Sequence, residues 1–216
     1  MTLSVLLFVG ASWLFGGVAE DVLTDDPLVQ VDRQISQWFR VHQAPVLTHW
    51  LSVVTDAHGV VGIGIMGLAL GLYLLWRRER YWLLALAVVL PGGMLMNVLL
   101  KLAFRRDRPL VDDPLRLLSG YSFPSGHVSA ATLFYGLLAA FVASKLPSWG
   151  LRVLAWLAAT VLVLLVAATR VYLGAHYFSD VVAAAAWGTA WLVMCQVAID
   201  ALRRSNSRGT TSGLLR

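Results

Sequence analysis

Apolar runs nearly as long as a bilayer is thick dominate this chain, and short polar stretches divide them. About 20 mostly apolar residues carry a helix across roughly 30 Å of hydrocarbon. The pattern predicts six spans, near Leu3 to Val18, Val60 to Leu75, Trp82 to Leu100, His127 to Ala143, Val153 to Ala168 and Val181 to Ala201. Trp76-Arg77-Arg78-Glu79-Arg80 and Ser144 to Gly150 read as polar turns, so successive helices alternate in direction. Between the first two spans the period changes. Leu28, Val31, Ile35 and Trp38 recur at helical spacing with Asp32, Arg33, Gln34 and Gln37 on the other side, and Leu47, Trp50, Leu51 and Val54 repeat the pattern after Pro45. Such pieces fit short amphipathic helices lying in the headgroup layer. The expected fold is all-α: a six-helix transmembrane bundle with interfacial helices between spans 1 and 2.

Composition agrees, with 58% hydrophobic and 13% charged residues among 216 and a mean hydropathy of +0.71. A net charge of +5 raises nucleic acid as a partner in a soluble protein. Here the charges lie between apolar spans, and the expected partners are the bilayer and a membrane lipid, with no nucleic acid. Arg77, Arg78, Arg80, Lys145, Arg152, Arg203, Arg204 and Arg208 fall on one side by parity, which marks that side as cytoplasmic. The opposite side begins with an acidic loop containing Glu20, Asp21, Asp25, Asp26, Asp32 and Asp56. Both termini are then expected in the cytoplasm and the opposite face outside it. The first apolar run lacks a basic flank and reads as a retained span, not a cleaved leader. Lone Cys195 forms no intrachain disulfide. One domain over residues 1–204 and a short polar, unordered tail over 205–216 complete the expected organisation.

Three polar blocks fall on the non-cytoplasmic side. The first is Lys101 to Pro109, where Lys101, Arg105 and Arg108 share a helical face if the helix runs to Arg108, the residue that Pro109 disfavours in helical geometry. The second, Tyr121 to His127, brings Ser125, Gly126 and His127 to a helix start, where free N–H groups suit an oxyanion. In the third, Thr169 to Asp180, the four-residue spacing of His176 and Asp180 lets the carboxylate hold one imidazole nitrogen and leave the other nucleophilic. Each block has a plain alternative: snorkelling cations, an ordinary Pro-Ser-Gly turn, a helix-surface His–Asp pair. Convergence on one membrane face favours a phosphate site. His127, His176, Asp180, Asp107, Asp112 and Asp113 are also imaginable as cation ligands, but the surrounding bases suit a bare phosphate better than a metal.

Lys-x6-Arg-Pro, then Pro-Ser-Gly-His, then Arg-x5-His-x3-Asp resembles the type 2 phosphatidic acid phosphatase superfamily. The blocks occur in order across Lys101 to Asp180, with Thr169 where the family usually has Ser. The resemblance implies a lipid phosphatase without metal or other cofactor, acting on undecaprenyl diphosphate, phosphatidylglycerophosphate or phosphatidate. It implies His176 as nucleophile, Asp180 as its orienting partner and His127 as acid and then base. Lys101, Arg108, Ser125, Gly126 and Arg170 would bind the phosphoryl oxygens, with the Thr169 hydroxyl as a further donor. A lipid phosphotransferase drawing on a polyprenyl diphosphate and a non-catalytic lipid or ion transporter are the alternative functions. Vanadate-dependent haloperoxidases, soluble enzymes that resemble the superfamily at the same residues, are remote because of the apolar spans.

Overall fold

The computed structural model describes residues 2–109 and 120–213. Among these, eight helices supply the regular structure: α1 (Thr2–Thr24), α2 (Pro27–Val41), α3 (Pro45–Ala57), α4 (Val60–Trp76), α5 (Arg80–Phe104), α6 (Gly126–Lys145), α7 (Trp149–Tyr172) and α8 (Phe178–Gly213). Helices α1, α5, α6, α7 and α8 are each long and apolar enough to cross a bilayer. With 17 residues α4 is marginal alone, but α3 and α4 pass the same test as a pair bent by 48°, giving up to six spans. Their bend falls at His58 and Gly59. Close packing requires glycine just beyond it, because a Cβ at Gly62 would stand 1.9 Å from the Ala57 carbonyl oxygen.

Leu6, Leu68, Leu72, Leu95, Leu154 and Leu164 are all exposed. In water such a belt would be an aggregation surface; in lipid it is solvated, as expected for an integral membrane protein. The central helix is α6, whose small residues let its neighbours approach. Gly136 lies against Leu192 of α8, and Gly188 of α8 lies against Thr132. One core cluster joins Val128, Ala131, Phe134 and Tyr135 to Val166 and Ala184. A second, toward the other end, joins Leu74, Val89, Leu137 and Leu192. There Lys145 pairs with Glu79, and the Arg203 guanidinium lies 5.9 Å from the Tyr81 ring centre.

Three local features differ from the expected pattern. Helix α5 stops at Phe104, and Arg105 caps it in the left-handed region at φ 48°. Lys101 and Arg108 are therefore not on one helical face, and Arg105 turns back to donate to the Leu102 carbonyl. Helix α8 continues through Ser205 to Gly213, over residues that the polarity of the sequence assigned to a tail. In α2 the apolar residues divide: Ile35 and Leu28 pack inward, whereas Val31 and Trp38 are exposed. Asp32, expected on the polar outer side, is instead fully buried at 0% exposure.

Candidate active site

The polar side chains of the three blocks meet at one end of the bundle, where α5 and α7 finish and α6 and α8 begin. Lys101, at the end of α5, donates to the Tyr121 carbonyl at 2.6 Å and the Ser122 carbonyl at 3.3 Å. Ser122 answers with its N–H to the Arg106 carbonyl at 2.8 Å and its hydroxyl to the Asp107 carbonyl at 2.9 Å. The first two blocks are thereby tied together. Arg108 reaches across the mouth, donating through Nη1 to the Ala175 carbonyl at 2.8 Å and through Nε to the Gly120 carbonyl at 2.9 Å. Its Nη1 also lies 3.4 Å from His176 Nε2.

That contact defines the imidazole. A guanidinium has donors only, so a hydrogen bond at this contact uses the Nε2 lone pair and places the proton of a neutral ring on Nδ1. Nδ1 stands 3.4 Å from Asp180 Oδ2. The Nε2 lone pair is thus turned toward a cation suited to phosphate. Asp180, at 0% exposure, is buried among donors: Oδ1 accepts from Arg106 at 2.7 Å and Oδ2 from the Tyr177 N–H at 2.9 Å. A buried carboxylate without such partners would be strongly destabilising.

Ser125 donates its N–H to the Asp180 carbonyl at 3.1 Å, joining the second block to the third. Its hydroxyl, the Nε of Arg170 and the Nδ1 of His176 are buried with no hydrogen-bond partner among the described residues. The first two are polar groups suited to an incoming oxyanion. Arg170 is held on its other side, with Nη1 donating to Thr55 Oγ1 at 2.8 Å. His127 sits at the first turn of α6, its Nε2 3.6 Å from where a Gly59 Cβ would be, within electrostatic reach of Arg170, His176 and Arg108. Helix α3 and the bend that follows it therefore form part of the wall of the site.

Several supporting residues escaped the sequence reading. Asn97, a buried amide in the middle of an apolar span, donates to Ser129 Oγ at 3.0 Å, and Trp187 donates to the same oxygen at 3.2 Å. This buttress lies directly under the Ser125–Gly126 turn, since a Gly126 Cβ would stand 3.4 Å from Asn97 Oδ1. A lone amide inside a span is itself a functional signal. Asp32 and Arg106 form a second support. Thr169 differs from the expectation, because its buried hydroxyl donates to Val166 within its own helix at 2.7 Å and is not directed at a phosphate. Asp112, Asp113 and Arg116 lie outside the described residues.

Burial holds the His176 imidazole pKa down at about 4; Asp180 opposes this shift, and Arg170 and Arg108 reinforce it. An unfolded His titrates near about 6.5. The unfolded chain thus binds the additional proton between those values, and this group costs stability as the pH falls from about 6.5 to about 4. Titration of 15N-labelled imidazoles in substrate-free protein should show His176 neutral at pH ~6 and half protonated near pH 4. A midpoint at the ordinary histidine value would contradict a buried, neutral His176.

The model of the PAP2 superfamily matches residues 80–204. Phosphatidylglycerophosphatase B of Bacillus subtilis (strain 168) is 32% identical over 139 residues, covering 61% of this chain and 67% of the relative. The crystal structure of a transmembrane PAP2-type phosphatidylglycerolphosphate phosphatase from Bacillus subtilis superposes with a TM-score of 0.81 at 25% identity, covering 90% of this chain and 96% of the other. LpxE of Aquifex aeolicus shares the fold at a TM-score of 0.58 and 19% identity, over 78% of this chain and 93% of the other. Because the family match runs from the start of α5 into α8 and takes in every block of the converging site, the chain belongs to the PAP2 superfamily and is a membrane lipid phosphatase, a hydrolase of phosphoric monoesters.

Proposed function

We propose that the chain hydrolyses a phosphomonoester or diphosphate headgroup of a membrane lipid, taking off one phosphoryl group through a phosphohistidine on His176. The observation that carries this reading is the orientation of that imidazole, with Nδ1 toward Asp180 at 3.4 Å and Nε2 toward Arg108 at 3.4 Å. Lys101, Arg108 and Arg170 draw the phosphoryl oxygens in, and the Ser125 hydroxyl and the Gly126 N–H complete the cradle. Nε2 attacks phosphorus and the P–O bond to the lipid breaks. Protonated His127 gives its proton to the departing lipid oxygen, while Asp180 stabilises the positive charge on His176. Neutral His127 then takes a proton from water as the water oxygen attacks phosphorus. The P–N bond breaks and inorganic phosphate leaves.

Charge stabilisation in this scheme comes from fixed cations and helix-start dipoles, so no metal has a role in it. Among the described residues, no three His, Cys, Asp or Glu side chains gather as cation ligands. The exposed apolar belt supports substrate arriving from the bilayer, and the parity of basic turns supports a site on the outer face of a bacterial cytoplasmic membrane, with both termini inside. The B. subtilis relative's name makes phosphatidylglycerophosphate the first lipid to test, beside phosphatidate and undecaprenyl diphosphate. Purified protein in detergent should release phosphate from at least one of the three, undiminished by excess chelator. Silence on all three would remove the hydrolase reading, and abolition by chelator would remove the metal-free mechanism.

A further inference from the structure

We infer that Arg106, anchored by the buried carboxylate of Asp32, is the positioning residue that sets Asp180 against His176 and leaves it the charge needed to support a phosphohistidine. The inference rests on the role proposed above for His176. Arg106 lies two residues from the phosphate-facing Arg108, yet it is directed into the protein. Its Nη1 donates to Asp180 Oδ1 at 2.7 Å and to Ser179 Oγ at 2.7 Å, and its Nη2 donates to Asp32 Oδ2 at 2.8 Å. Tyr177 covers the guanidinium, 4.3 Å from its ring centre. Asp32 in turn holds the start of α8, accepting the Ser179 N–H on Oδ1 at 2.9 Å and the Ser179 hydroxyl on Oδ2.

Two consequences follow from this chain of contacts. The first is geometric. The Asp180 carboxylate is held on both oxygens, by Arg106 on Oδ1 and by the Tyr177 N–H on Oδ2, with Oδ2 3.4 Å from His176 Nδ1. The second is electrostatic. Were Arg106 paired with Asp180 alone, it would cancel the carboxylate that must offset a positive imidazole. Asp32 supplies the second carboxylate, so the cluster of two carboxylates and one guanidinium keeps one net negative charge beside His176. Asp32, 147 positions from Ser179 in sequence, thereby connects helix α2 to the His176 imidazole without touching substrate.

The test uses Asp32→Asn, which preserves shape and the Ser179 N–H contact while removing the charge, and Arg106→Lys, which preserves charge but cannot bridge both carboxylates. Each variant is purified in detergent, its fold checked by thermal unfolding, and its turnover and 15N-imidazole spectrum compared with the parent. The expected result is a fall in kcat of about 10- to 100-fold with KM nearly unchanged, since misplacing a catalytic group by about 1 Å costs roughly that much. In substrate-free protein the His176 resonances should move toward a mixture of tautomers. In an Asp180→Asn background, Asp32→Asn should cost little more, because both act through one contact. A folded variant with parental kcat and an unchanged His176 spectrum would overturn the inference, as would full additivity with Asp180→Asn. The spectra need no turnover, so they decide the positioning role even if His176 is not the nucleophile. Should Asp32→Asn fail to fold, Arg106→Lys supplies the same readings.

Discussion

His176→Ala is expected to reduce phosphate release by about 10⁴-fold or more on every lipid the parent accepts, because removing the proposed nucleophile leaves only binding and charge stabilisation. The substitution removes the group whose Nε2 is turned toward Arg108, and no other imidazole could replace it from the same position. His176 is 2% exposed, so truncation also leaves a cavity, and His176→Asn is the companion variant that fills it. Both should retain the parental detergent-solubilised fold while failing to form an acid-labile phosphoenzyme from labelled substrate. Turnover above about one hundredth of the parent in either variant would show that another group attacks phosphorus.

The convergence of the candidate residues was legible in the sequence because the three blocks are local. Lys101, Ser125, Gly126, His127, Arg170, His176 and Asp180 are each read from spacing to near neighbours, and alternation of spans brings them to one face. The fold class was legible for a similar reason, since the length of an apolar run directly reflects membrane thickness. What escaped depends on contacts between distant segments. Asp32 sits at a position that helical periodicity assigns to a polar face, and periodicity cannot distinguish a face turned to headgroups from one turned to Arg106 and Ser179. Thr55, which holds Arg170, is hidden the same way. Arg106 lies in the same basic run as Arg105 and Arg108, and only tertiary structure separates its inward pairing with Asp180 and Asp32 from the placement of Arg108 across the mouth. The end of α5 was misjudged because Pro109 limits the helix from one side only. The left-handed cap at Arg105 has no glycine or asparagine to announce it.

His127→Ala is expected to separate the two halves of the reaction. With a lipid substrate the departing alkoxide is a poor leaving group, so loss of the acid should lower turnover by about 10² to 10⁴-fold. With p-nitrophenyl phosphate the leaving group needs no proton, and attack by His176 should proceed near the parental rate. The second half still needs His127, now as the base that activates water, so the phosphohistidine should accumulate. One imidazole serves both proposed steps because His127, at the first turn of α6 beside Gly59, lies within electrostatic reach of Arg170, His176 and Arg108. Rapid-mixing assays should show a burst of p-nitrophenol of about one equivalent followed by slow turnover, with labelled phosphate retained on the protein in alkali and lost in acid. Equal slowing of both substrates without a burst would mean that His127 binds phosphate and does not move protons.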